Sequence, residues 1–255
     1  MSAFFKNWNP ETLKKYKPFI TASCGFRRSG KSYMQAHLLG LMCSEFDLVC
    51  SFTGSLNCSP EMQTIFETKL DPRFQFNKLN ISFLQTLMEQ QERITKNGQK
   101  RDVLLLFDDV FCTRPEQDYL AFFSTRARHF RCSLMFSAVS YTSLGKNYRR
   151  SIDFLFLFGQ PLYTDKKYLM IEFSKNPRLT ELCLSKLEEY QCLVIQNTLK
   201  SKMFVYRANE NSKTSSPNQN KNLLLESSEK NEPEEDDPDA QYENNALSDS
   251  EALAY

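Results

Sequence analysis

Glycine, histidine and tryptophan are scarce in this chain: its 255 residues include 7 Gly, 2 His and 1 Trp. So little glycine excludes collagen-like and linker-rich architectures, and two histidines leave little from which to build an imidazole metal centre. The eight cysteines, Cys24, Cys43, Cys50, Cys58, Cys112, Cys132, Cys183 and Cys192, contain no C-x-x-C pair. They read as buried thiols in a reducing compartment, not as a disulfide framework or structural zinc site. No apolar run approaches the ~20 residues of a membrane helix. Met1–Pro10 is too short and too polar for a secretory leader,. The expectation is a soluble, intracellular protein with no membrane partner.

Two of the few glycines frame Gly25-Phe26-Arg27-Arg28-Ser29-Gly30-Lys31-Ser32, which fits G-x-x-x-x-G-K-[ST]. The pattern carries weight in context: an apolar, partly β-branched run, Pro18 to Cys24, precedes it, and Met34, Leu38, Leu41 and Met42 follow at helical spacing,. In a strand–loop–helix unit, backbone N–H groups of the concave loop and the helix N-terminus converge on phosphate oxygens. Lys31 then reaches the β- and γ-phosphates, and Ser32 offers its hydroxyl to Mg²⁺. This predicts a binding site for ATP spanning Gly25, Phe26, Arg27, Arg28, Ser29, Gly30, Lys31 and Ser32, with Arg27 and Arg28 read as outward, solvated charges.

Val103-Leu104-Leu105-Leu106-Phe107 is continuously apolar and ends in Asp108-Asp109. A strand buried on both faces of a parallel sheet, opening at its C-terminal end on a ligand crevice, has this look. Downstream of a phosphate loop, Asp108 is suited to hold the Mg²⁺ shell, and Asp109 to orient or polarise an attacking water. No D-x-x-G follows the loop at switch spacing, and Asn77-Lys78-Leu79-Asn80 lacks a guanine-reading Asp, which sets GTPase switches aside.

Further elements alternate: strand Asp47–Phe52, helix Glu61–Thr68, a short strand Phe74–Phe76 and helix Ile81–Lys96 ending at the Asn97-Gly98 turn,. Beyond the acidic strand come helix Pro115–Phe123, strands Cys132–Val139 and Asp153–Phe158, and one or two helices between Asp165 and Tyr190. Cys192–Asn197 and Met203–Tyr206 form a closing hairpin. Repeated β-α units imply an α/β domain with a mainly parallel sheet covered by helices on both faces; together with the phosphate loop and acidic strand, the expected fold is a P-loop NTPase of RecA/ASCE-like type.

Residues 208–255 turn to Asn, Ser, Lys, Glu and Asp and bury too little surface to order themselves,. They hold 12 acidic and 3 basic residues, a charge of −9; against the whole-chain +1, this leaves +10 for residues 1–207. The expected organisation is an ATPase domain over 1–207 followed by a disordered acidic tail over 208–255. A basic body suggests a polyanionic partner, nucleic acid first. Lys6, Lys14, Lys15 and Lys17, interleaved with Phe5, Trp8 and Tyr16, fit either a DNA contact or an ordinary amphipathic surface,.

From Ser124 to Arg149 the chain reads Ser124-Thr125-Arg126-Ala127-Arg128-His129-Phe130-Arg131, then Phe136-Ser137-Ala138-Val139-Ser140-Tyr141, then Leu144-Gly145-Lys146-Asn147-Tyr148-Arg149. With the loop and acidic strand, this resembles the poxvirus-type genome-packaging ATPases of large DNA viruses and virus-like transposons, within the FtsK/HerA superfamily. The resemblance runs from about Phe19 to Phe158. It implies ATP hydrolysis with Mg²⁺, driving double-stranded DNA into a capsid, and assembly as a homo-oligomeric ring with a capsid or portal partner. It places the protein at viral assembly sites in nucleus or cytoplasm, or in the virion. It also implies that Arg128 acts as a finger in a neighbouring subunit, with Arg126 second, and that Arg149 is a sensor. The family's sensor Gln falls on Val139 here, and its turn Pro on Gly145; either Ser137 or Ser140 then takes the sensor role, or coupling of hydrolysis to motion is weakened. Two other readings stay open: a nucleoside or small-molecule kinase, and a nucleotide-dependent assembly protein with little hydrolysis.

Overall fold

In strand β4 (Val103–Asp108), side chains alternate between two cores: Val103, Leu105 and Phe107 join one, Leu104 and Leu106 the other. All five are buried, so the strand needs cover on both faces and reads as continuously apolar for that reason. The structure, a computed structural model, describes residues 6–54, 59–110, 112–159, 163–172, 177–197 and 202–208. Phe5, Cys58 and residues 209–255 of the expected acidic tail lie outside the described residues.

Eight strands form one sheet: β1 (Ile20–Cys24), β2 (Leu48–Thr53), β3 (Gln75–Phe76), β4, β5 (Cys132–Ala138), β6 (Phe154–Leu157), β7 (Gln191–Gln196) and β8 (Lys202–Arg207). Their order is β3-β2-β4-β5-β1-β6-β7-β8. β3 through β6 run parallel, and β7 and β8 are antiparallel additions. β5 thus lies between the strand that feeds the glycine loop and the strand that ends in Asp108, the arrangement that sets RecA/ASCE-like ATPases apart. The N-terminal segment bridges onto β8: the Trp8 N–H donates to the Val205 carbonyl at 2.9 Å, and the Val205 N–H to Lys6 at 3.1 Å.

One face is covered by α1 (Thr12–Lys15), α2 (Lys31–Met42) and α3 (Pro60–Lys69), which bury Leu13, Met34, Leu38, Met62 and Phe66. The other carries α4 (Ile81–Lys96), α5 (Arg114–Arg126), α6 (Lys146–Ser151), α7 (Tyr163–Glu172) and α8 (Pro177–Ser185), burying Leu87, Phe123, Tyr148, Leu169 and Leu184. Helix starts follow local chemistry. The Ser59 hydroxyl accepts from the Met62 N–H and Asn80 from the Phe83 N–H, while Thr113 and Glu116 form a capping box,. Gly98, at φ 72°, ends α4 in a left-handed turn,.

Across the second face runs an aromatic ladder: Phe76, Phe52, Phe107 and Phe136 stack in series at centroid spacings of 5.0, 4.9 and 5.0 Å. Tyr148 meets Phe136 edge-on. The ladder lies immediately beneath the C-terminal strand ends and so gives Asp108 a rigid base. Five cysteines, Cys24, Cys50, Cys132, Cys183 and Cys192, are buried as expected, and burial pushes the Cys50 and Cys132 thiols up to about 12. Expected helix and strand spans agree with the observed ones to within a few residues; α1 and α6 were not anticipated.

Candidate functional site

Between Cys24, where β1 ends, and Lys31, where α2 begins, the chain turns through the glycine loop. Gly25 has no room for a side chain, since a Cβ there would lie 2.6 Å from Phe158 Cβ and 2.9 Å from the Ser29 hydroxyl. Gly30 takes φ 97°, a left-handed conformation that other residues rarely adopt, and Arg28 takes φ 62°,. Both required glycines therefore have a steric reason. Phe26, Arg27 and Arg28 are exposed at the tip, as expected for the two arginines.

Lys31 is turned back into the loop. Its Nζ donates to the Gly25 carbonyl at 2.7 Å and the Phe26 carbonyl at 2.9 Å, and only 9% of the residue is exposed. Burial pulls its ammonium below the usual lysine value, against the opposing charges of Asp108 and Asp109. Those carboxylates act on Lys31 because β1 and β4 both end at this edge, one strand apart. The Ser29 Oγ is buried with no hydrogen-bond partner among the described residues. A buried hydroxyl without a partner is costly, and one in a loop shaped for phosphate is ready for an oxyanion. Ser32 follows Lys31 in the first turn of α2.

Asp108 sits in register with Ser137 on β5, and Ser137 with Ser23 on β1. Burial raises the Asp108 carboxyl above its ordinary range; a hydrogen bond from Ser137 opposes this, the Asp109 charge adds to it, and Lys31 opposes it. Ser137 is therefore a direct partner of the acidic strand. Asp109 takes φ 48°. It borders a second cleft of about 500 Å³, with Val110, Gln117, Ser137 and Val139 on its walls.

The structure brings Lys31, Ser32, Asp108, Asp109 and Ser137 to one edge of the sheet. Other expected residues are placed elsewhere. The Ser140 hydroxyl donates to Asp165 at 2.8 Å, and the Thr142 N–H and hydroxyl donate to the same Oδ1, so Ser140 holds α7 against the end of β5. Arg149 is likewise committed: it donates to both Glu172 carboxylate oxygens at 2.9 Å and to the Leu144 carbonyl at 2.7 Å, and it lies over the Tyr141 ring. Tyr141 also donates to Glu172. Neither Asp165 nor Glu172 was anticipated, because nothing in local sequence ties α7 to this loop.

Arg128 lies in the short turn before β5, at the N-terminal edge of the sheet. It pairs with Asp153, whose other oxygen accepts the Ile20 N–H at 2.8 Å. A strand of this length rises roughly 20 Å, so Arg128 sits about that far from the loop of its own chain. Lys14 pairs with Glu11 and Glu45, and Lys17 with Glu45 and Asp102. Trp8 is buried, so this segment is tied to the body.

A phosphate loop ahead of a buried acidic strand, with β5 between their strands, defines a P-loop ATPase. The chain belongs to the poxvirus A32 protein family, whose model matches residues 6–229. Among solved structures it is similar to B204, the DNA-packaging ATPase of Sulfolobus turreted icosahedral virus, at 15% identity and a TM-score of 0.53, covering 74% of this chain and 97% of B204. The genome-packaging NTPase B204 of Sulfolobus turreted icosahedral virus 2, in complex with ATP-gammaS, matches at 14% identity, TM-score 0.52, over 77% and 98% of the chains. ATPases 2 and 3 of EssC from Geobacillus thermodenitrificans match at 11% identity, TM-score 0.55, over 75% of this chain and 40% of that one. At these identities the likeness is one of fold. No curated protein matches the chain.

Proposed function

We propose that this chain is an ATP-driven motor that moves double-stranded viral DNA into a capsid, working as a homo-oligomeric ring at viral assembly sites. The observation that carries the reading is the shared sheet edge, where the Lys31 ammonium and the Asp108–Asp109 pair flank a loop with a buried, unpartnered Ser29 hydroxyl. Residues 1–207 form the ATPase domain in this reading, with 208–255 as an acidic tail. The family membership, the fold of the B204 proteins and the +10 charge of residues 1–207 support the DNA partner.

Each residue then has a task. Loop amides from Gly25 to Ser32 hold the phosphates, and Lys31 exchanges its carbonyl partners for β- and γ-phosphate oxygens. Ser32 and Asp108 offer hard oxygen donors that fit Mg²⁺, which is held by one or two protein groups plus phosphates. Mg²⁺, when bound, neutralises charge on the transferred phosphoryl group. Ser137 keeps Asp108 in place, and Asp109 polarises the attacking water. In this reading Arg128, remote from its own loop, acts as a finger on a neighbour's.

ATP turnover measured with and without duplex DNA, across protein concentration, tests the proposal. The rate should rise with DNA and with concentration, and DNA affinity should fall steeply with salt as phosphate contacts are lost. Turnover indifferent to DNA in an oligomeric sample would overturn the motor. A second reading, nucleotide-dependent assembly with little hydrolysis, is favoured by Val139: at the family's sensor position this exposed side chain has no polar atom. ATP binding without hydrolysis in every oligomeric state would select it.

A further inference from the structure

Tyr190 has φ 60°, an uncommon backbone state for an aromatic residue,. It precedes β7 and lies directly on the phosphate loop: a Cβ on Gly30 would come within 2.9 Å of its ring and 3.3 Å of its Cα. Tyr190 is thus strained and pressed against the loop, yet 48% exposed. Such strain persists where the surrounding structure over-determines it, and it clusters at functional sites.

The ring borders a cavity of about 1020 Å³ whose walls include Ser29, Lys31, Ser32, Tyr33, Glu61 and Tyr190. This cavity has a direction. Asp108 and Asp109 mark where the γ-phosphate belongs, and Asp109 borders the separate second cleft. Neither carboxylate lines this cavity, whose wall continues past Ser32 to Tyr33 and Tyr190, so a triphosphate running from the acidic pair along the loop leaves toward those two rings. Their ring centroids are 5.9 Å apart at 60°. The rings already touch, so no base slides between them; the two form a corner.

We propose that Tyr190, braced by Tyr33, is the platform on which the nucleobase stacks, while the loop supplies the phosphate affinity. This inference rests on the ATP-binding reading and names the base subsite within it. Stacking reads a π-face, so the site favours a nucleoside triphosphate over bare polyphosphate without strong choice among purines.

The test is calorimetric titration of the full chain with ATP and with inorganic tripolyphosphate, in Mg²⁺. The wild type should bind ATP more tightly than tripolyphosphate. Tyr190→Ala should weaken ATP by roughly tenfold, the size of one base-stacking contact, and leave tripolyphosphate unchanged, whereas Tyr190→Phe and Tyr190→Trp should keep wild-type ATP affinity. Tyr190→Leu, which keeps apolar volume without the ring, should behave as Tyr190→Ala. Equal weakening of both ligands in Tyr190→Ala and Tyr190→Leu would overturn the platform, showing that Tyr190 only shapes the loop. Unchanged ATP binding in both would overturn it as well. A wild type that binds neither ligand would sink the underlying ATP reading instead.

Discussion

A Cβ on Gly54 would overlap the carbonyl oxygen of Asp109, and the Gly54 N–H donates to the Asp108 carbonyl at 3.1 Å. The loop after β2 therefore holds the acidic pair from its backbone side and fixes Asp109 in its φ 48° conformation. Gly54→Ala must push the two segments apart. The expected cost is about 1–3 kcal/mol of stability, as for overpacking. Turnover should fall on the order of a hundredfold, as for an ångström-scale misplacement, with ATP affinity nearly unchanged. Denaturant unfolding, nucleotide titration and an ATPase assay separate the three.

Lys31→Ala and Asp109→Asn should fail differently. The first removes the only loop ammonium and should abolish measurable ATP binding. The second keeps shape and hydrogen-bonding capacity but loses the charge that polarises water, so ATP binds and turnover is lost. Wild-type turnover in Asp109→Asn would show that another group activates the water.

Asp108 is charged at a stability cost. Its folded-state carboxyl titrates above the unfolded value because it is buried, so the folded chain binds the extra proton between the two values. Stability contributed by this group is present at acid pH and falls as pH rises through that window. Asp108→Asn should therefore melt higher than the wild type at neutral pH without nucleotide, and the gap should close as pH falls. Mg²⁺-dependent ATP binding by the wild type should weaken on acidification sooner than an ordinary carboxylate of about 4 allows. Thermal melts and titrations across pH check both.

The pair at the far edge separates a structural residue from an assembly residue. Asp153→Ala orphans the Ile20 N–H as well as Arg128 and should cost about 1–3 kcal/mol in denaturant unfolding. Arg128→Ala breaks an exposed pair only and should cost at most about 1 kcal/mol. If Arg128 serves a neighbouring subunit, its loss should cut turnover by about a thousandfold, the lower bound for an arginine finger, while unfolding barely changes. Turnover that tracks the small stability loss would confine Arg128 to holding Asp153.

What the sequence disclosed was what nearest neighbours along the chain decide. Gly25 to Ser32 and Val103 to Asp109 carry their geometry in local pattern, so loop, acidic strand and the parallel sheet were legible before any coordinates. Arg149 is a sensor candidate by the family pattern, and Ser137 or Ser140 only as a stand-in for the Gln that falls on Val139; the partners of Ser140 and Arg149, Asp165 and Glu172, come from α7, which docks only in three dimensions. Tyr190 left no signal at all, since its meaning comes from contact with Gly30, distant in sequence. α6 escaped because six polar-rich residues show too little periodicity.

Among the described residues, both margins of the sheet offer little backbone for further pairing. At one end β3 offers two residues, and at the other the backbone of Lys6 to Trp8 already occupies Val205. In the ring proposed above, copies of this chain have little open ladder among the described residues to zip together, a safeguard against runaway fibre growth,. They would then meet through side chains. An assembly joined that way can loosen and re-form one junction at a time.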